Sequence, residues 1–416
     1  MKQFLLYTVL IFLISSCSSD NVNDIEEIQE TEQSENDSED PQDDDSQDDD
    51  GQDDSDTLIF YGDVTLTTQS EVTDFGVNDY QEITGRLIIE GSDITNLETL
   101  SNLKSVGRDL FIGDTQLVNL NGLDNLSTIG ETFNEGDLEI YRNDNLRSIE
   151  ALSLLASIPG TLEIRSNFSL ESLQGLHSLT NIRTIVRIVK NSSLNDIHAL
   201  HNVDSELIGI NIDMNFSLEN LNGLENMKLA SNGGLSLLGN TILSDVSMLE
   251  SLIQDRARVI LIGPRYDNCP DGCPDEEVPV LSQLSFLTNL RNVDTLVLGE
   301  YQGTDLEGLN QLESIGNLSI FGSRSKIQSL SALSGIQSGI IDLRITDQNY
   351  IASLEGLNNV VSLSRVNIEN NTTLANFCSI ATPLIEAFQN NGSNVSIKEN
   401  AYNPEAADLE NGECSL

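Results

Sequence analysis

A short apolar-x-apolar pattern recurs along most of the chain, and its spacing restricts the fold more than any other feature. Its first positions are Leu87, Leu110, Leu138, Leu162, Val186, Ile210, Leu235, Ile260, Leu296, Leu318, Leu343, Val366 and Val395. The gaps between them are 23, 28, 24, 24, 24, 25, 25, 36, 22, 25, 23 and 29 residues. Self-similarity at such a period marks a repeat array, in which each unit leans on its neighbours. In residues 162–185, LEIRSNFSLESLQGLHSLTNIRTI, Leu162 and Ile164 flank an outward Glu163, the alternation of a strand. Leu170, Leu173, Leu176, Leu179 and Ile182 then fall every third residue, which suits a chain turning corners around a core. A lone coil of this length buries too few aliphatic side chains to offset the entropy of ordering it, so the coils must share walls.

Asn143, Asn167, Asn191, Asn215 and Asn240 recur in step with the strands. Stacked at a turn, their side chains can satisfy buried backbone groups of the next coil. Several sit in N-x-[ST], as in Asn167-Phe168-Ser169, and are read as turn ladders rather than glycan acceptors.

The coils also share Leu120-Asn121-Gly122-Leu123, Leu173-Gln174-Gly175-Leu176, Leu221-Asn222-Gly223-Leu224 and Leu354-Glu355-Gly356-Leu357. With the strand and Asn positions, this pattern resembles the receptor L domain, the leucine-rich module of insulin and growth-factor receptor ectodomains that also occurs in bacterial surface proteins. The resemblance covers roughly residues 80–409. It departs from ordinary leucine-rich repeats in having two residues, not one, between the Asn and the next Leu. It implies a mostly β fold: a right-handed parallel β-helix or leucine-rich solenoid of about 13 rungs, with short capping helices at both ends. About function it implies binding and no particular ligand, because one module serves many partners.

The expected organisation is a signal segment over 1–17, an acidic tether over 18–57, an N-terminal cap over 58–84, a solenoid over 85–375 and a C-terminal cap over 376–416. Lys2 and the apolar run from Phe4 to Ile14 are too short to span a bilayer as a stable helix. Ile14-Ser15-Ser16-Cys17 resembles a bacterial lipobox, which makes Cys17 a lipidation site and the lipid the only membrane contact. The tether holds 19 acidic residues and no Lys or Arg, and is expected to be extended and disordered. Acidic residues soon after such a Cys resemble surface-export signals. The expected location is therefore the outer membrane of a Gram-negative bacterium, facing out. A formal net charge of −47 argues against nucleic acid as a partner.

Open ends of a solenoid need lids. Val64-Thr65-Leu66 reads as a strand, Thr68-Gln69-Ser70-Glu71 as a capping box and Gly76 as a helix stop. At the far end Ile380 to Asn390 reads as a helix that Gly392 ends. Cys378 and Cys414 are paired to pin the tail, and Cys269 with Cys273 to staple a loop at 263–283. This loop, in the longest gap, also admits a junction between two L-like halves. No cofactor is expected, and this stretch reads as a solvated acidic loop; calcium is the alternative, because Asp267, Asp271 and Gly272 match part of an Asp-rich calcium loop, although Cys269 occupies a usual oxygen-ligand position.

No phosphate loop, G-x-S-x-G or HExxH is present, so the chain is read as a non-enzyme; a polysaccharide-processing enzyme is the weakest alternative. His177 and His201 are 24 apart, with Glu225 a further 24 along and His198 one turn before His201, a conceivable metal column. The same position elsewhere holds Asp124, Ser153 and Glu250, which reads as a solvated face. The better candidate is the outward strand face, with columns Phe111, Glu139, Glu163, Arg187, Asn211 and Tyr141, Arg165, Val189, Asp213. Phe111, Tyr141, Arg165 and Arg187 are anchor types favoured in interfaces; the plainer expectation is cross-rung pairing of Glu163 with Arg187 and Glu139 with Arg165. The expected function is adhesion to, or binding of, a protein or glycan, with a ligand-free envelope spacer as the alternative. The oligomeric state is left open.

Overall fold

The computed structural model describes residues 57–130, 136–264 and 281–416. Cys17, the lipobox, almost all of the tether, Asp267, Cys269, Asp271 and Cys273 lie outside them.

Fourteen strands form one parallel sheet, from Val64–Leu66 to Val395–Lys398, in strict chain order. The thirteen first positions identified in the sequence stack in a single column: Leu87 pairs with Leu110, Leu110 with Leu138, and so on to Val366 with Val395. Their side chains point inward, buried in all but the last, the half-buried Val395, and together with the Leu and Ile at every third position they form one aliphatic core. The third-residue spacing has a direct cause. Leu176 N–H donates to Leu173 O at 3.1 Å and Leu179 N–H to Leu176 O at 3.1 Å. Successive i→i+3 turns therefore place one Leu per turn against the core.

The L-x-G-L motif is explained by backbone approach. Gly122 and Gly175 have φ of 107° and 113°. A Cβ there would stand 1.9 Å from Leu97 O and 2.1 Å from Ile149 O of the preceding rung. Only glycine fits both the dihedral and the space.

The Asn ladder forms inside the turns. Asn143 N–H donates to Asn167 Oδ1 at 3.2 Å, Asn167 to Asn191 at 3.0 Å, Asn191 to Asn215 at 3.1 Å and Asn215 to Asn240 at 2.9 Å. Each side-chain amide reaches back to the preceding strand, as Asn167 Nδ2 does to Ile140 O at 2.9 Å. The residue before the Asn takes a left-handed conformation, with φ of 51° at Arg142, 56° at Ser166 and 60° at Lys190. These unfavoured dihedrals are offset by the buried hydrogen bonds that follow.

Early and late rungs differ at one corner. Up to Ile182 the main strands are short, as at Leu162–Arg165, and a second set of two-residue strands such as Ser157–Ile158 and Asn181–Ile182 forms another wall. Aspartates hold the corner between the walls: Asp63 accepts from Arg86 N, Asp109 from Gly136 N and Asp137 N, and Asp137 from Thr161 N, at 2.6–3.0 Å. From Glu206–Asp213 to Leu363–Glu369 the two walls merge into continuous strands of seven to eleven residues, and only the last strand, Val395–Lys398, is short again. The sheet continues across the longest gap, pairing Ile260 with Leu296, so no junction between halves interrupts it.

Helices close the ends. Helix α1, Gln69–Gly76, starts with the expected capping box: Glu71 N donates to Thr68 Oγ1, and the Glu71 side chain accepts from Thr68 N. Gly76 is not a left-handed stop. It is the last helical residue, and a Cβ there would lie 2.4 Å from Thr99, so close packing explains it. Helix α2 spans Ala381–Asn391, one residue later than expected; Gly392 is its C-cap, in a right-handed conformation with φ of −57°, and opens a short 3-10 turn. A disulfide joins Cys378 to Cys414, with Cα atoms 4.8 Å apart, and helix α3, Ala406–Glu410, lies in the tail thus pinned. Among the described residues no helix is long and apolar enough to cross a membrane.

Candidate functional site on the strand face

Because the sheet is parallel and in register, outward side chains stand in rows one strand spacing apart. Phe111, Glu139, Glu163, Arg187 and Asn211 are consecutive partners in one row, and Tyr141, Arg165, Val189 and Asp213 in the other. The four expected anchors therefore share one surface, but they are not four free side chains.

Glu163 is the hub. Only 7% exposed, it takes Arg187 NH1 at 2.5 Å and Arg165 Nε at 2.6 Å. The expected Glu163–Arg187 pair forms, but Arg165 joins Glu163 and not Glu139. Arg165 lies two residues along the same strand, on the same side of the sheet, so the nearer carboxylate captures it. The Arg165 guanidinium also lies 4.5 Å from the Tyr141 ring centre, and that of Arg142 at 5.5 Å. The Tyr141 ring covers Gly113 on the preceding strand, where a Cβ would sit 2.2 Å from it. Phe111 carries Arg86 at 5.3 Å. Each aromatic anchor is thus rigidly held and already in contact with a cation.

The carboxylates around this hub differ. Burial raises the Asp109 carboxyl, but N–H groups of Asp137 and Gly136 and the Arg86 guanidinium outweigh it and hold it below the ordinary range. Asp137 is pushed up, chiefly by burial and despite the Thr161 N–H. Glu139 is pushed up to about 7, first by burial, then by the charges of Glu163 and Asp137. Among the described residues Glu139 has no side-chain hydrogen bond or ion pair. Burial, then the charges of Glu90 and Asp114, raises the Tyr141 hydroxyl.

The histidine column forms as an architectural row. Asn202 Nδ2 donates to His177 O at 2.9 Å and Asn226 Nδ2 to His201 O at 2.7 Å. The rings do not gather across rungs: His201 stacks on His198 of its own turn at 4.8 Å, and His201 Nδ1 lies 3.0 Å from His198 O. Among the described residues no group of three or more His, Cys, Asp or Glu side chains is placed to hold a metal. The amides of Asn125, Asn202, Asn226 and Asn359 form a second, solvent-facing set of rung-to-rung bonds that the sequence reading missed. Their one visible signal is Asn two residues after the second leucine of an [LI]-x-x-L pair.

The model of the receptor L domain family matches residues 81–167, which include Tyr141, Glu163 and Arg165 but not Arg187. The chain is a parallel β solenoid that is similar to the receptor L domain over that stretch. No curated protein matches it. Among solved structures, an internalin from Listeria monocytogenes str. 4b F2365 is similar, at 16% identity and a TM-score of 0.37, over 80% of this chain and 76% of that one. The L-domain match covers about a fifth of the sequence; the stacked strands carry the same repeat well beyond it.

Proposed function

We propose that this L-domain-like chain binds a protein ligand on its strand face, around Tyr141, Glu163, Arg165 and Arg187, and so acts as a ligand-binding or adhesion module. The observation carrying this is the hub itself: two arginines share one buried carboxylate and one of them packs on a tyrosine, in a sheet whose register holds every member. A pre-ordered surface loses little entropy on binding, and Tyr and Arg are the residue types that most often dominate interface energy. A sugar stacks on an open aromatic face. Tyr141 has Gly113 beneath it and Arg165 against it, which favours protein over glycan. Nothing in this arrangement calls for bond-breaking chemistry, and binding is the whole of the proposed activity.

The N-terminal features extend the proposal. A lipid on Cys17 and the acidic tether would hold the solenoid away from the outer membrane, facing out. Radiolabelled palmitate incorporation that disappears in Cys17→Ala, and loss of the protein when intact cells are shaved with protease, are the expected results; retention after shaving would place it in the periplasm. The ligand itself is tested on protein and glycan arrays with the full chain, comparing wild type, Tyr141→Ala and Arg187→Ala. A protein hit weakened at least tenfold by either variant supports the reading. Glycan hits alone, or hits indifferent to both variants, overturn it.

A further inference from the structure

We propose that Glu139 is the docking point for a guanidinium or ammonium group of that protein partner, an inference that rests on the strand face being the binding surface. Three nearby carboxylates, Asp109, Glu163 and Asp114, each have a cation of their own, and Asp137 is held instead by Thr161 N–H. Asp109 holds Arg86 at 3.0 Å, Glu163 holds Arg165 and Arg187, and Asp114 holds Arg142. Glu139 stands in the same row between Phe111 and Glu163 and has none. It is half-buried, so it has given up part of its hydration without gaining a partner. The charged groups facing it are Glu163 and Asp137, which repel its charge, and Arg165 and Arg187, which Glu163 has taken.

The walls of this position suit a cation. Phe111 precedes Glu139 in its row, and Tyr141 lies two residues along its strand. Both rings already carry a guanidinium, from Arg86 and Arg165. Beyond the tether the chain holds 48 acidic and 19 basic residues, so its field draws a basic partner in and turns an acidic one away. A cation seated on Glu139 would relieve the repulsion from Glu163 and complete the pattern of its neighbours. The midpoint of Glu139 near 7 gives this contact a pH dependence. A cation binds the ionised form, so affinity rises with pH; at pH 6 it is about tenfold weaker than at pH 8.

The test uses the full chain with carbon-13-labelled glutamate, Glu139→Gln to assign the resonance, and two capped tripeptides, Gly-Arg-Gly and its citrulline counterpart. The arginine peptide should lower the Glu139 titration midpoint, citrulline should leave it in place, and Glu139→Gln should lose the arginine preference. An unmoved midpoint at saturating arginine peptide, or equal binding by Glu139→Gln, overturns the proposal. A protein ligand that Tyr141→Ala releases but Glu139→Gln retains with less than a twofold change overturns the docking point and leaves the strand-face reading standing. Indifference of every ligand to Tyr141→Ala and Arg187→Ala defeats the strand-face reading, and with it this one.

Discussion

The turn ladder of the rungs from Asn143 to Asn240 and that of the rungs from Tyr301 to Gln348 solve the same problem with different success. In the first set each Asn accepts one backbone N–H and donates to one carbonyl. In the second set the strand register places Tyr301, Ser323 and Gln348 at the ladder position. Tyr301 fills the space with a ring only 3% exposed. Gln348 is one methylene too long: its amide nitrogen bonds Gly322 O and Thr346 O, while Oε1 is buried with no protein partner. Ser325 Oγ and Thr346 Oγ1 share that condition nearby. The ladder resumes at Asn371 and Asn400. The sheet nonetheless keeps its register through the defect. Strand pairing and the aliphatic core thus set the fold, and the ladder refines it.

If that is right, substitutions should rank by which device they touch. The largest effect belongs to the motif glycines, which are alike in both regions: Gly356 has φ of 111° and a Cβ there would meet Leu330 O at 2.0 Å. Gly175→Ala and Gly356→Ala should each cost about 3 kcal/mol or more in urea unfolding. Gly392→Ala, with open space around it, should change little. A large difference between Gly175→Ala and Gly356→Ala would break the idea that one backbone device serves both regions.

Next comes Asn167→Ala, which strips a partner from Asn143 N and from Ile140 O, two buried groups. It should cost about 2–4 kcal/mol, and amide exchange should quicken locally at Asn143. Gln348→Ala removes two bonds but also one unsatisfied oxygen, and should cost distinctly less. The repair, Gln348→Asn, should stabilise by about 1 kcal/mol, read as a raised urea midpoint with unchanged slope; no gain would mean that side-chain length is not the defect.

The smallest effect is set by pH. The Glu139 carboxyl is raised in the fold, so its stabilising protonated form is present in acid and lost as pH rises through about 7. Glu139→Gln should therefore raise the melting temperature at pH 8 and hardly at pH 5. A gain at pH 5 as large as at pH 8 would mean that charge is not the cause.

These contrasts also mark what could be read in the sequence. Every strand start from Leu87 to Val395 was legible, because period-two alternation and a coil-length repeat have one economical reading. The Asn positions were legible while the residue was Asn. Tyr301 and Gln348 hid their place, since an aromatic or a longer amide carries no ladder signature. The site was half legible. Rows fix which residues are neighbours, so Phe111, Tyr141, Arg165 and Arg187 came together as expected. Rows do not fix which of two carboxylates an arginine chooses, and that choice between Glu139 and Glu163 decides where the unpaired charge lies. The corner aspartates Asp63, Asp109 and Asp137 were lost among the many acidic residues, where only their rung spacing singles them out.

The unbroken parallel sheet has a mechanical corollary. Each coil is bonded only to those above and below, so a pull along the stack loads one row of amide–carbonyl links at a time. Stretching should show a sawtooth of small, similar force peaks, each releasing roughly 80 Å of polypeptide for a coil of some 24 residues. Under load the solenoid would act as a shock absorber that yields in steps.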